Sequence, residues 1–183
     1  KKEIYKNFLM MQQAIVLTNG MWASANAKTC HGLLRGSERF KILAVIDEAF
    51  AGQDAGEVLD GKARNIPVVA SVAAYFAQEG AVQPDACIVG VALPGGRLPD
   101  DFRAALLEAA GHGCSLVNGL HTFLSDDPDF QQIAAAKGIE LVDIRKPRSR
   151  ETLQFWTGYI YSVKAPIVAV LGTDCALGKR TTT

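Results

Sequence analysis

Seven short apolar runs, each followed by turn residues, dominate the pattern of this 183-residue sequence. Segments with a helical spacing of apolar residues separate them, so strand and helix signals alternate along the chain. The runs are AIVLTNG (14–20), KILAVID (41–47), IPVVAS (66–71), ACIVGVA (86–92), CSLVNG (114–119), IELVDIR (139–145) and PIVAVLG (166–172). They are apolar throughout, which is typical of strands covered on both faces. The pattern predicts an α/β protein with a doubly wound, mainly parallel, Rossmann-like sheet and helices on both faces.

The clearest helix signals lie at 71–80, 98–113 and 125–138. In the last segment, Asp127 is predicted to cap the first turn, Pro128 suits the first helical position, and Gly138 suits the end. The other two segments have a Ser or a Pro with two aspartates at the start and a glycine near the end. These signals place helices between the predicted strands, as parallel βαβ units require.

The order of these signals predicts three segments. Residues 1–145 are predicted to form the Rossmann-like domain, and 146–165, with its polar stretch, a linker. Residues 166–183 are predicted to be the first strand and phosphate loop of a truncated P-loop NTPase-like domain. We therefore expect a complete first domain followed by only the start of a second.

Residue totals argue against several classes of function. Lysines and arginines together equal aspartates and glutamates, so the formal net charge is zero and no nucleic-acid partner is expected. No apolar run is long enough to span a membrane and no signal peptide is visible, so we expect a cytoplasmic protein without a membrane partner. The four cysteines are far apart, which predicts free thiols and no metal site.

Polar and small residues follow several predicted strands, where ligands bind in open α/β sheets. Asp47 follows the second run, and Gly95-Gly96 and Asn118-Gly119 follow the fourth and fifth. The first run is followed by TNGMWASANAKT, which has one glycine instead of the GxGxxG turn of dinucleotide sites. An NAD site using Asp47 is therefore not favoured.

Two of these strand-end turns have alternative interpretations. In ALPGGRLPDD (92–101), Gly95 and Gly96 permit a close approach of backbone to an anion, or they only form a tight strand-to-helix loop. In NGLHTFLSDDP (118–128), His121 is either a general base or a partly buried histidine bonded to backbone.

Two charged clusters also have alternative interpretations. Asp126 and Asp127 resemble a paired-carboxylate site, although capping of the next helix also accounts for them. The basic cluster RKPRSR (145–150) is assigned to a solvated linker or, alternatively, to an anion contact.

The last residues, GTDCALGKRTTT, follow the seventh run and indicate a phosphate-binding loop. Its predicted phosphate contacts are Gly172, Thr173, Asp174, Gly178, Lys179 and Thr181. Five residues separate the two glycines, as in dethiobiotin synthetase-like proteins, which this loop resembles. The loop predicts ATP or another phosphate ligand. Because Arg180 stands where a magnesium-binding hydroxyl is usual, the binding of magnesium is left open.

Several stretches together resemble one family. They are AKTCHGLLR (27–35), AVIDEAFAGQDAGEVL (44–59), IPVVAS (66–71), IVGVALPGGRLPDDFR (88–103), NGLHTFLSDDP (118–128) and GTDCALGKRTT (172–182). Their order and spacing are similar to the DgcN-type D-glutamate N-acetyltransferase family, formerly a family of unknown function. The resemblance implies an N-terminal Rossmann-like domain, a C-terminal P-loop domain, and transfer of acetyl from acetyl-CoA to D-glutamate or a similar small amino acid.

Acetyl transfer needs a base, an oxyanion donor and a cradle for CoA. His121 is the first candidate base by position, and Asp47 the second. Backbone at Gly95 and Gly96, together with Asn118 and Gly119, is predicted to contact the co-substrate. The candidate cations for a substrate carboxylate are Lys28, Arg35 and Arg97.

Two other functions stay open. The first is a P-loop nucleotide-dependent ligase or kinase-like enzyme, and the second is a non-catalytic module that binds CoA or a nucleotide. In each case we expect a small-molecule ligand and a homo-oligomer.

Overall fold

The computed structural model describes residues 11–171, in which six parallel strands form one sheet. The strands are β1 (Gln12–Leu17), β2 (Phe40–Ile46), β3 (Val68–Val69), β4 (Ala86–Val89), β5 (Ser115–Asn118) and β6 (Leu141–Asp143). Each lies within one of the first six apolar runs or overlaps it. Every pairing between neighbouring strands is parallel, which confirms the predicted parallel α/β sheet.

The strand order is β3-β2-β1-β4-β5-β6, the order of a Rossmann sheet. The chain moves outward from β1 to β3 and then returns to add β4 on the other side of β1. All six strands end at the same edge of the sheet, because they are parallel. Loops that follow β4, β5 and β6 are therefore neighbours at that edge.

Five helices cover the two faces of this sheet. They are α1 (Lys28–Arg35), α2 (Ala55–Asp60), α3 (Val72–Phe76), α4 (Asp100–Gly111) and α5 (Pro128–Lys137). One buried layer joins α3, α4 and α5 to strand residues such as Ile15 and Leu17. The other joins α1 and α2 to the alternate residues, such as Ala14 and Val16. Helices on both faces explain why the strands are apolar throughout.

The helix ends of α3 and α5 follow local sequence signals, but the predicted length of α3 is wrong. Asp127 accepts a hydrogen bond from the Asp129 amide and Gly138 ends α5 in a left-handed conformation, as predicted. Ser71 caps α3 as predicted, but this helix ends at Phe76 rather than at Gly80. The Ala77 amide still bonds to Ala73, after which the chain turns toward β4.

Residues 147–171 belong to a second unit, separate from 11–146. They contain two short 3-10 turns, Arg150–Thr152 and Tyr159–Ser162. The apolar run at 166–171 pairs with no strand in the described part of the chain, so the strand expected there is not formed. A strand needs a hydrogen-bonded neighbour, and apolar composition alone does not supply one.

Among residues 11–171, no helix combines the length and apolar character needed to span a membrane.

Candidate functional site

A cleft of about 290 Å³ opens where β4, β5 and β6 end. Its lining residues are Leu93, Gly95, Gly96, Gly119, Leu120, His121 and Arg145. The structure thus brings together four residues predicted from the sequence, Gly95, Gly96, Gly119 and His121. The cleft lies beside the β4–β6 half of the sheet, where the loops are rich in glycine.

Two loops are held together at the floor of this cleft. The amides of His121 and Thr122 both donate to the Gly96 carbonyl, at 2.7 and 3.1 Å. In return, the Thr122 hydroxyl accepts a hydrogen bond from the Leu98 amide at 3.1 Å. These bonds fix the loop after β4 against the loop after β5, so the position of His121 depends on both.

Gly96 makes room for the imidazole of His121. A side-chain Cβ at this position would lie 2.3 Å from Cδ2 of His121, and the backbone φ of Gly96 is +64°. Gly95 has a similar φ of +71°, but nothing lies within 4 Å of its would-be Cβ. Gly96 is therefore required for the histidine to pack, while Gly95 leaves open space at the cleft.

The pair of neighbouring glycines gives a matched test of this packing. We expect Gly95→Ala and Gly96→Ala each to lose about 1–2 kcal/mol of stability, because both place an L-residue in a left-handed conformation. Only Gly96→Ala adds a clash with the imidazole, so only that variant should also displace His121. Urea unfolding and the NMR position of the His121 ring protons would measure the two effects. Equal ring shifts in both variants would contradict this account.

The ring of His121 is held by Arg145. The Nη1 atom of Arg145 lies 3.2 Å from Nε2 of His121, and both side chains are exposed. A guanidinium only donates hydrogen bonds, so a hydrogen bond at this contact has Nε2 as its acceptor. This contact places Nε2 of His121 against a cation.

Two backbone amides add donors at the same place. The amides of Gly95 and Gly119 donate no hydrogen bond to another residue in the described portion of the chain. Backbone amides of this kind can stabilise a developing oxyanion when they point into a site. The cleft is therefore lined by a base-type side chain, a cation and two glycines whose amides donate to no other residue among residues 11–171.

Asn118 positions this loop. Its side-chain amide donates to the Thr122 carbonyl at 2.8 Å and to Oδ1 of Asp143 at 2.7 Å, and its Oδ1 accepts from the Leu120 amide at 3.0 Å. The side chain is buried and its main hydrogen-bonding groups are used within the protein. This geometry favours a positioning role for Asn118 over the predicted contact with a co-substrate.

Asp143 completes the support of the loop. Its carboxylate also accepts from the amides of Leu124 and Ser125, at 3.0 and 2.9 Å. Burial alone would raise the pKa of Asp143, but the hydrogen bonds from Asn118 and these amides hold that pKa below its ordinary value. An ionised carboxylate is thereby kept beneath the loop that presents His121.

Asp47 is enclosed in its own network. It is fully buried, and its Oδ2 accepts from the Thr18 hydroxyl and from the amides of Gly20 and Trp22, at 2.7, 2.9 and 3.1 Å. Its Oδ1 accepts from the Ala49 amide at 3.1 Å. A carboxylate in this state is inaccessible to a substrate or to a ribose hydroxyl. The geometry therefore favours a role in shaping the loop after β1 and argues against its predicted role as a base.

The other charged candidates lie outside the cleft lining. Asp127 caps α5 and accepts from Arg103 at 3.0 Å, and Asp126 pairs with Lys146. The capping interpretation of Asp127 is thus the one that the structure supports. Lys28, Arg35 and Arg97 are exposed and are not among the residues that line the cleft.

Arg145 is a cleft residue that sequence reasoning did not single out. It stands two residues after β6, so the strand-end rule that selected His121 also applies to it. It also begins the basic cluster at 145–150, for which a solvated linker was the preferred interpretation. In the structure this one arginine lies in the cleft, which favours the anion-contact alternative for Arg145.

Cysteine chemistry is not available in the described part of the chain. Cys30, Cys87 and Cys114 are free and buried, as predicted, while Cys175 lies outside the described residues. Burial raises the pKa of Cys114 to about 11 and raises those of Cys30 and Cys87 further. These thiols are therefore not nucleophiles near neutral pH. Among residues 11–171, no cluster of histidine, cysteine and carboxylate side chains is arranged to hold a metal.

The predicted phosphate contacts lie outside the described residues. They are Gly172, Thr173, Asp174, Gly178, Lys179 and Thr181.

Two family models match the sequence. Residues 48–147 match a model described as a domain of unknown function, DUF1611_N, with a Rossmann-like domain. Residues 154–183 match the companion model, DUF1611_C, described as a P-loop domain.

Individual proteins also match. A D-glutamate N-acetyltransferase from Tritonibacter scottomollicae is 33% identical over 92 residues, which is 50% of this chain and 26% of that protein. One from Pseudoalteromonas sp is 32% identical with the same coverage. A DUF1611 protein from Anabaena variabilis, solved at 2.30 Å, is 36% identical with a TM-score of 0.72, over 93% of this chain and 47% of that one. The chain thus matches about a quarter of the length of the curated relatives.

Proposed function

This chain belongs to the DUF1611 family, and from that premise we propose that it acts as an N-acetyltransferase on a small amino acid. The family resemblance expected from the sequence is confirmed by the matches to both domain models. The two curated relatives are named D-glutamate N-acetyltransferase, which makes D-glutamate the first acceptor to test. Acetyl-CoA is the proposed donor. The cytoplasmic location and the homo-oligomer expected from the sequence stay predictions.

The observation that supports this proposal is the His121 cleft. The imidazole of His121 lies in the same cleft as Gly95 and Gly119, with its Nε2 against the guanidinium of Arg145. A general base must be unprotonated before the reaction, and an oxyanion needs donors that are not already engaged. These groups are of the types that acyl transfer to an amine uses, which supports the proposal.

The proposed reaction follows from these groups. The amine nitrogen of the acceptor forms a bond to the carbonyl carbon of the thioester, and the carbon–sulfur bond breaks. Nε2 of His121 accepts the proton that the amine loses and passes it to the departing thiolate. The Gly95 amide is the proposed donor to the carbonyl oxygen as negative charge develops there.

The loop at Gly95 also suits the approach of a donor molecule. No atom lies within 4 Å of the place where a side chain at Gly95 would begin, so a ligand can approach the backbone there. The loop after β1 does not suit a dinucleotide, since it lacks the glycine-rich turn and its acid, Asp47, is enclosed. These features support a CoA ester over NAD as the ligand of this half of the chain.

We expect CoA release when the protein is supplied with acetyl-CoA and D-glutamate. A thiol reagent would measure the release, with L-glutamate and other amino acids supplied in separate reactions. Release with an amino acid and none without it would support acetyl transfer. No release with any amino acid would contradict the proposal.

The P-loop match at 154–183 favours a second candidate, a nucleotide-dependent ligase or kinase-like enzyme. The same reactions would therefore be repeated with ATP and magnesium present. Product formation that depends on ATP, with no CoA release in its absence, would favour this candidate over acetyl transfer.

A further inference from the structure

Arg145 is a cation without an anion in the candidate cleft. Among residues 11–171 it forms no ion pair, and its described side-chain hydrogen bond goes to the imidazole of His121. A guanidinium has five donors in a planar fork, and a carboxylate matches two of them at once. A neutral ring nitrogen is a weaker partner, so the observed contact is one that an anion can displace.

We propose that Arg145 anchors the carboxylate of the acceptor substrate, and that this binding releases Nε2 of His121 to act as the base. This inference rests on the proposed function. Without an acceptor, the 3.2 Å contact keeps the Nε2 lone pair engaged. When a carboxylate takes the guanidinium, Nε2 becomes free to accept a proton from the amine of the same molecule.

The volume of the cleft is compatible with a small carboxylate as the anion that Arg145 binds. Its volume of about 290 Å³ lies at the lower end of typical ligand pockets, which span about 300–1,000 Å³. An arginine also binds a planar, bidentate partner better than a lysine would. The substrate class is therefore an amine that also has a carboxylate. A simple amine without a carboxylate would leave Nε2 of His121 in contact with Arg145.

Glutarate is a suitable probe, because it has carboxylates but no amine to acetylate. We would titrate it into ¹⁵N-histidine-labelled protein and follow the His121 ring nitrogens by NMR. We expect glutarate to shift the Nε2 resonance, and Arg145→Gln to weaken glutarate binding by about 10-fold or more, the effect of losing a charge-assisted pair. Arg145→Lys should give an intermediate loss, since it keeps the charge but loses the fork.

Arg97→Gln is the matched control. It removes the same charge from an exposed arginine on the neighbouring loop, outside the cleft lining. We expect its glutarate affinity to equal that of the unmodified protein. Circular dichroism would show that the variants are folded.

Three results of the glutarate titrations would overturn the proposal. Glutarate could leave the Nε2 resonance of His121 unchanged, or Arg145→Gln could bind glutarate as tightly as the unmodified protein. The third result is an equal loss of glutarate affinity in Arg145→Gln and Arg97→Gln. A second titration uses adenosine 3′,5′-bisphosphate. The proposal would also be overturned if this phosphate bound in a way that depends on Arg145 while glutarate did not bind. The titration needs no acetyl transfer. Failure of the CoA-release assay would therefore count against the proposed function, while failure here would count against the anchor alone.

Discussion

We expect His121→Ala to lower the turnover of the proposed acetyl transfer by about 10²–10⁴-fold, the usual effect of removing a general base. The reason is that Nε2 of His121 is the proposed acceptor of the amine proton, within a cleft that also contains Arg145 and unengaged amides. The affinity for acetyl-CoA should be nearly unchanged, because the alanine removes no proposed contact with the donor. Steady-state CoA release at varied acetyl-CoA and acceptor concentrations would separate kcat from KM.

His112→Ala is the matched control for this variant. His112 is an exposed histidine at the end of α4, where it stacks on Phe76 with a centroid distance of 3.9 Å. The same chemical change there should leave kcat unchanged. Equal activity losses in both variants, or an effect of His121→Ala on KM alone, would contradict the role of His121 as a base.

The fold was largely predictable because its pattern is repeated and local. Strands buried on both faces, such as β1 and β4, give continuous apolar runs, although the exposed run at 166–171 has a similar composition and forms no strand. The edge strand β3 was predicted at 66–71 but has only two paired residues, Val68 and Val69. Pro67 immediately before it lacks the amide that a longer ladder would use. The strand order was not predictable from the runs, because order depends on which faces pack in three dimensions.

The candidate site was predictable only in part, for a related reason. The strand-end rule found Gly96 and His121, whose contact then depends on the absence of a side chain at the glycine. The same rule also selected Asn118 and Asp47, which are buried and engaged within the protein. A polar residue at a strand end faces either the ligand or the chain itself, and residue type does not distinguish the two. Arg145 was obscured by the basic residues that follow it.

Asp47→Ala is expected to lower the free energy of unfolding by about 3 kcal/mol or more, the second large effect. The change leaves the buried amide of Trp22 and the amides of Gly20 and Ala49 without their acceptor. Each buried donor that loses its partner costs about 1–3 kcal/mol. The Thr18 hydroxyl costs less, since it can turn to the Ile46 carbonyl at 3.2 Å.

Urea unfolding of Asp47→Ala beside Glu48→Ala would measure this difference. Glu48 is the next residue and is exposed, so its replacement should change stability by no more than about 0.5 kcal/mol. Asp47→Asn should lie between the two, because one oxygen remains to accept from the loop after β1. If Asp47→Ala were as stable as Glu48→Ala, Asp47 would not be holding that loop. Its enclosed network would then have no energetic role, and the earlier assignment of Asp47 as a base would have to be considered again.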